Sequence, residues 1–298
     1  MRTFEYTVDE AHNGSEVGKL LKSLGYSRAS IIKLKYSNGL FLNGKHIRTV
    51  DKVNTGDSLT VRFSDSSDAE PNIELRAAIL NDDDDIAVFD KPAGMPVHRS
   101  NGHTDDTLEN LFSALYAGMS FHAVSRLDRN TSGIVIVAKN KLAASKLMSD
   151  PLYRPRKMYY ALTAGGLYEK YGGQGVIEAP IARESDSIIK RVVRNDGDYA
   201  RSEFSVLAYS EYISFIGIKL ITGRTHQIRV HFSHIGFPLL GDDLYGGDCT
   251  LIGRQALHCG KVDFIHPITG DNLSLKASIP EDMANILKKE NINYELLK

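Results

Sequence analysis

The sequence has no tryptophan and only two cysteines, Cys249 and Cys259, in 298 residues. Thiols at that spacing make neither a metal-type pair nor a disulfide framework, so reduced, core-type cysteines and a cytoplasmic setting are expected. Long apolar runs are missing as well. No stretch approaches the ~20 residues that cross a bilayer, so no membrane association is expected. The start, Met1-Arg-Thr-Phe-Glu-Tyr, lacks the apolar core of a signal peptide. A phosphate-cradling loop is absent too: Tyr171-Gly-Gly-Gln-Gly175 has no following Lys-Ser/Thr and reads as flexible loop. No cofactor motif appears elsewhere. Charge of one sign is also lacking, the formal net being -1.

That near-neutral sum hides a pattern. Residues 1–64 hold 10 Lys/Arg against 6 Asp/Glu, while 65–85 hold 8 acidic residues against Arg76 alone. An acidic connector therefore masks two mildly basic halves, which permits a nucleic-acid partner without identifying one. With 42% hydrophobic residues the chain can build two cores. Ser64 to Pro71 has linker composition. The division expected is a small domain at 1–64, an acidic linker at 65–78 and a larger domain at 79–298. The run Asp82 to Asp85 invites a metal, but adjacent carboxylates without a glycine-centred loop rarely converge on one ion. A solvated turn between strands is the reading adopted.

In the small domain, Val17, Leu20, Leu21 and Leu24 recur at helical spacing, and Gly25 ends that helix. Ser27 caps a second helix from Arg28 to Tyr36. Asn43-Gly44 is a hairpin signal after Leu40-Phe-Leu, and Ser58 to Phe63 reads as a strand. Beyond the linker, Ile134 to Ala138 is a continuous β-branched run of the kind buried on both faces. Before it, Asp128-Arg-Asn-Thr-Ser-Gly133 reads as a turn. Asp128 thus sits at the lip of a rigid strand between Arg126 and Arg129, where it should stay ionised. Lys141 to Ser149 reads as a helix, and Met158 to Thr163 as a strand. Its period of two puts Tyr160 on the apolar face and Tyr159 opposite it, with Lys157 and Ala161. Residues 200–222 alternate as antiparallel strands. Thr225 is a good N-cap for a helix from His226 to Ile235, with Ile228, His231, Phe232 and Ile235 inward and Arg229 free to reach a partner. His226, His231 and His234 diverge around that helix, so no metal is expected. Gln255–Cys259 and Leu273–Ala277 read as strands, and a last helix runs from Glu281 toward Lys289.

Three stretches, in order, resemble the RluA-type pseudouridine synthases. Ser125-Arg-Leu-Asp128-Arg-Asn-Thr-Ser-Gly133 is similar to the family's H-R-L-D-x-x-T-S-G signature, with Ser125 where the family usually has His. Ile79 to Gly94 resembles its opening strand and K-P-A-G segment. Gly223-Arg-Thr-His-Gln-Ile-Arg229 and the residues to Asp242 resemble its late block. Lys157, Tyr159 and Ala161 match its K-x-Y-x-A. The order of residues 1–64 resembles the alpha-L RNA-binding motif through Ser27-Arg28, Asn43-Gly-Lys45 and Gly56-Asp57, although Gly14-Ser15-Glu16 replaces its usual R-L-D.

The resemblance implies an α+β protein: a small α/β RNA-binding domain, then a catalytic domain on a mixed, largely antiparallel sheet flanked by helices. It implies isomerisation of uridine to pseudouridine in ribosomal RNA first, transfer RNA second, by a cofactor-free monomer. Asp128 would be the nucleophile or general base, whether toward the sugar carbon, the ribose or the ring. Arg229 would pair with Asp128, and Tyr159 would stack on the uracil and relay its proton. Leu257 would wall the base, while Arg126, Lys157 and Arg224 would hold phosphates. Arg28, Lys33, Lys35 and Lys45 would give the small domain its phosphate contacts. Two other classes remain open at this stage: a non-catalytic RNA-binding protein, and a metal-dependent hydrolase built on the acidic run and histidines.

Overall fold

Two sheets of very different size carry the chain in a computed structural model, which describes residues 2–63, 67–187 and 189–294. The first comprises β1 (Arg2–Thr7), helices α1 (Val17–Ser23) and α2 (Arg28–Tyr36), and strands β2 (Leu40–Leu42), β3 (Lys45–His46) and β4 (Ser58–Phe63), ordered β1-β4-β2-β3. The expected punctuation is in place. The Ser27 side chain accepts from the Ser30 amide at the head of α2. Asn43 and Gly44 both take positive φ, 48° and 80°, the geometry that lets a two-residue turn follow the strand twist. Strand β1 is an addition to the sequence reading; it pairs with β4 along its whole length.

The second part comprises β5 (Ala78–Asp82), β6 (Ile86–Lys91), α3 (Leu108–Leu115), β7 (His122–Ala123), β8 (Ser132–Ala138), α4 (Lys141–Ser149), β9 (Arg156–Ala164), α5 (Leu167–Tyr171) and β10 (Gln174–Glu178). It continues through β11 (Ile181–Arg183), β12 (Arg191–Val193), β13 (Arg201–Tyr209), β14 (Ile213–Leu220), α6 (Gln227–His234), β15 (Leu257–Ile265), β16 (Asn272–Lys276) and α7 (Glu281–Lys289). Among the described residues, ten strands form one sheet on the path β10-β13-β14-β9-β15-β8-β6-β5, with β16 beside β15 and β7 beside β8. Every pairing is antiparallel except β15 with β8. β11 and β12 form a separate hairpin. The fold class is thus the mixed, mostly antiparallel α+β arrangement that the sequence led one to expect.

β8 is buried at every position, as its unbroken β-branched run requires. Its exception is Gly133, at φ 110°, where a Cβ would stand 2.3 Å from the Cys259 carbonyl oxygen across the parallel pairing. Gly133→Ala is therefore expected to destabilise the protein by about 3 kcal/mol, from backbone strain and overpacking together. A denaturation midpoint equal to wild type would refute this.

Several expectations need correction. Tyr171 to Gly175 is only partly loop, since Tyr171 closes α5 and Gln174 opens β10. Helix α3 escaped the sequence reading, although Thr107 and Asn110 form a complete capping box at its start. β13 alternates as expected and carries a bulge between Val206 and Ala208 that the sequence reading did not include. The acidic run does turn between β5 and β6, and Asp82, Asp83 and Asp84 are exposed there as expected, but Asp85 is buried and the run is paired. Asp82 meets Lys139 at 2.5 Å, Asp83 meets His266 at 3.3 Å, and Arg2 bridges Asp84 and the buried Asp85 at 3.3 and 3.0 Å. The run consequently ties the small sheet to the large one, and Leu142 of α4 joins the small sheet's core beside Leu21 and Val61.

Of the connector expected at 65–78, Asp65 and Ser66 lie outside the described residues, as does Ser64 before them. From Ser67 on it runs along the larger part. The Asn110 amide donates to the Glu70 carbonyl, and the Asn72 amide donates to the Asp105 carbonyl, each at 2.8 Å. Among the described residues no helix is long and apolar enough to cross a membrane.

Candidate active site

The turn that carries Asp128 is held from below. Its carbonyl accepts from the Thr131 amide at 3.0 Å, closing the turn that Asn130-Thr131-Ser132 favours. Lys91, fully buried at the end of β6, donates to the carbonyls of Pro92 and Met95 at 2.8 Å and of Arg129 at 3.1 Å. The Arg129 guanidinium turns away from Asp128 to the Gly94 carbonyl, 3.0 Å off, and the Gly94 amide donates back to the Arg129 carbonyl. Burial pushes the Lys91 ammonium down to about 7, against the pull of Asp128. The Lys-Pro-Ala-Gly segment and the Asp128 turn thus form one hydrogen-bonded unit.

Above the turn lies α6, which begins one residue later than the sequence suggested. Thr225 is not its cap; His226 is, in the left-handed region at φ 57°. Such geometry in a residue with a Cβ costs about 1–3 kcal/mol and persists where surrounding contacts impose it. Gln227 imposes it here. Its carbonyl oxygen accepts from the Arg224 amide and the Thr222 hydroxyl, while its amide donates to the Arg201 carbonyl and Ser202 hydroxyl of β13. His231 is buried between Ser202 and the Ala179 carbonyl, and His234 is exposed.

Arg229 is not free. It is buried, with Nε and Nη2 each 2.7 Å from the two carboxylate oxygens of Asp242, itself inaccessible to solvent. Its guanidinium also lies 4.9 Å from the centre of the Tyr245 ring. What remains is Nη1, which donates to Asp128 Oδ2 at 3.2 Å. A bidentate carboxylate on one edge leaves the fork a single direction for its last donor. His226 Nε2 stands 3.8 Å from the same oxygen, and its Nδ1 is 2.9 Å from the Tyr245 hydroxyl. Burial holds the imidazole below its ordinary pKa, and Arg229 depresses it further against the pull of Asp128, so it is neutral near pH 7. Both contacts fall on Oδ2, which leaves Oδ1 for a substrate to meet.

Asp128 opens onto a cavity of about 590 Å³, within the size range of ligand sites. Its walls include Ser125, Arg126, Tyr159, Arg224, Arg229 and Leu257. Tyr159 is as buried as Tyr160, each 7% exposed, because β9 packs into apolar cores on both faces, Tyr159 and Ala161 in one and Tyr160 and Leu162 in the other. Burial first, then Cys259 and Asp128, drive the Tyr159 phenol well above its ordinary pKa, so it is a neutral hydroxyl at working pH. Arg126 is exposed at the rim. Arg224 is exposed too, 3.4 Å from Asp198, between this cavity and a polar groove of about 440 Å³ that Arg183 and Arg191 also line. Lys157 does not join them; its ammonium is directed to the Ser125 hydroxyl and the Ile134 carbonyl. Arg28, Lys33, Lys35 and Lys45 are all exposed on the small domain.

The structure therefore gathers Asp128, Tyr159, Arg229, Arg126, Arg224 and Leu257 around one cavity. It adds Asp242, His226 and Tyr245, to which the sequence reading gave no role. A charged residue inside Pro238-Leu-Leu-Gly-Asp242 was the available signal, since a carboxylate in an apolar run needs a partner. Among the described residues, no group of three or more His, Cys, Asp or Glu is placed to hold a metal ion.

A family model described as RNA pseudouridylate synthase matches residues 85–234, a span that includes Asp128, Tyr159 and Arg229. An uncharacterized RNA pseudouridine synthase of Bacillus subtilis, YjbO, is 37% identical over 275 residues, covering 90% of this chain and 96% of its own. Ribosomal large subunit pseudouridine synthase D of Pseudomonas aeruginosa is 35% identical over 290 residues, covering 88% of this chain and 87% of its own. The structure of human RNA pseudouridylate synthase domain containing 4 has a TM-score of 0.57 at 24% identity, over 72% of this chain and 94% of that one, a likeness of fold. The chain belongs to the RNA pseudouridylate synthase family, in its RluA-type branch. It is accordingly an RNA pseudouridine synthase, an isomerase whose substrate is RNA.

Proposed function

We propose that the enzyme converts uridines of large-subunit ribosomal RNA to pseudouridine, with Asp128 as the reacting carboxylate. The observation that carries this is the 3.2 Å contact between Asp128 and an Arg229 locked by Asp242, at the wall of a cavity shared with Tyr159 and Leu257. In the reaction the bond from the sugar to N1 breaks, the uracil turns, and its C5 joins the sugar. C5 gives up a proton and N1 gains one, so nothing is consumed. Asp128 Oδ1 starts the cleavage, as nucleophile or base, while Arg229 holds Oδ2 and keeps the carboxylate aimed. Tyr159, a neutral phenol, stacks against the everted base, and Leu257 bounds it.

A uridine inside a helix must leave its stack first, at a cost of a few kcal/mol. Phosphate contacts from Arg126 and Arg224 at the cavity, and from Arg28, Lys33, Lys35 and Lys45 on an alpha-L-type domain at 1–64, offset that cost. The Pseudomonas relative's name supports ribosomal RNA as the target. The protein acts as a cytoplasmic monomer.

The two arginines separate the roles. Arg229→Ala is expected to lose most turnover at saturating RNA. Arg224→Ala is expected to weaken RNA binding and lower the salt dependence by about one unit, with turnover kept. If Arg224→Ala proves the more damaging to turnover, the assignment is reversed. For the substrate, pseudouridines are mapped in RNA from cells with and without this protein. Sites missing only from large-subunit ribosomal RNA support the proposal; sites missing only from transfer RNA overturn it.

A further inference from the structure

We propose that Lys157 is a positioning residue that sets the spacing between Asp128 and the Tyr159 ring by acting through Ser125, and not a contact for RNA phosphate. The proposal rests on Asp128 and Tyr159 meeting the target uridine. Lys157 and Tyr159 lie two positions apart on β9, so their side chains leave the strand on one face. From there the Lys157 ammonium donates to the Ser125 hydroxyl and, at 3.3 Å, to the Ile134 carbonyl. Ser125 stands three residues before Asp128, on the segment entering the turn. Ile134 lies in β8, the strand leaving it. One ammonium therefore grips both ends of the Asp128 turn, and it does so from the strand that carries Tyr159.

A phosphate contact would need the ammonium at the surface. Ser125, Asp128 and Tyr159 line the cavity, whereas Lys157 does not. Lys157 is half-buried with its ammonium turned to Ser125 and Ile134, and burial holds that ammonium below the ordinary lysine range. Swinging it out to solvent would strip the Ser125 hydroxyl and Ile134 carbonyl of their donor, a loss with no evident return. The serine itself is informative. It offers a small neutral acceptor at the end of a lysine's reach.

The test uses the full chain with four variants: Ser125→Ala, Ser125→Thr, Lys157→Met and the Ser125→Ala/Lys157→Met double. Single-turnover rates at saturating RNA are measured beside RNA dissociation constants across a salt series. Ser125→Ala should slow the reaction about 10-fold and Lys157→Met about 100-fold, as small misplacements of reacting groups do. RNA affinity and its salt dependence should stay at wild-type values. Ser125→Thr keeps the acceptor and should restore the rate. The double variant should be no slower than Lys157→Met alone, because both changes cut one connection.

Wild-type rate in Ser125→Ala would overturn the proposal. So would a Lys157→Met protein with unchanged saturated rate, weaker binding and a salt slope reduced by about one, the mark of a lost phosphate contact. Should Lys157→Met fail to fold, the comparison of Ser125→Ala with Ser125→Thr decides alone. Failure of the underlying site assignment would register elsewhere, as turnover by Asp128→Asn.

Discussion

Asp128→Asn is expected to fold, to bind RNA as wild type does, and to form no measurable pseudouridine. The asparagine side chain keeps an oxygen for the Arg229 Nη1 donor, so the 3.2 Å contact survives in weakened form. Asp128 is partly open to the cavity, its side chain 28% exposed, and the exchange should move stability by no more than about 1 kcal/mol. Chemistry is another matter. An amide can neither attack a sugar carbon nor take a proton, and losing the central group of a catalytic unit costs roughly 10⁴-fold or more in rate. Pseudouridine counted by mass spectrometry after prolonged incubation provides the check. Turnover by Asp128→Asn within ten-fold of wild type would remove Asp128 from the reaction.

Asp242→Ala should be the most damaging change to the protein as a whole. It strands a guanidinium that is 8% exposed and held on two of its nitrogens by a carboxylate with no solvent access. Breaking one side of a buried ion pair costs about 3–5 kcal/mol, because the surviving charge keeps only the single contact to Asp128 to offset its lost hydration. Activity should fall with it, since Arg229 no longer has a fixed direction in which to present Nη1. The double variant Arg229→Met/Asp242→Leu separates the two effects. Replacing the pair by apolar groups of similar volume should return most of the stability and none of the turnover. A double variant that regains activity would mean that Arg229 is only structural. An Asp242→Ala protein as stable as wild type would mean that the pair is not formed in solution.

How much of this could be read from the letters differs by element. β8 announced itself, because five consecutive β-branched or small apolar residues after a turn admit few other structures. Asp128, Tyr159 and Arg229 were nominated by motif, and the fold brings them to one cavity. Their surroundings were not foreseeable. The sequence period placed Tyr159 on the side away from the core, but a strand in the middle of a covered sheet has no outer side, and Tyr159 is buried. Helical spacing left Arg229 facing outward; the loop carrying Asp242 then folds back over it, thirteen residues along. Pairings of that kind depend on where a loop returns, which no local period encodes. β11 and β12, three residues each, are too short for any periodicity to reveal.

The junction between the two sheets carries a lesson about how the molecule could be divided. Leu142 belongs by chain position to the larger part, yet it fills the smaller part's interior. Asp85, buried, draws a guanidinium from Arg2 at the far end of the chain beside the Asn140 amide. A saw-cut between residues 64 and 78 would bare a leucine and strip a carboxylate of its guanidinium on the same shoulder. The two halves are thus sequential along the chain but mortised in space, and neither should be treated as a spare part of the other.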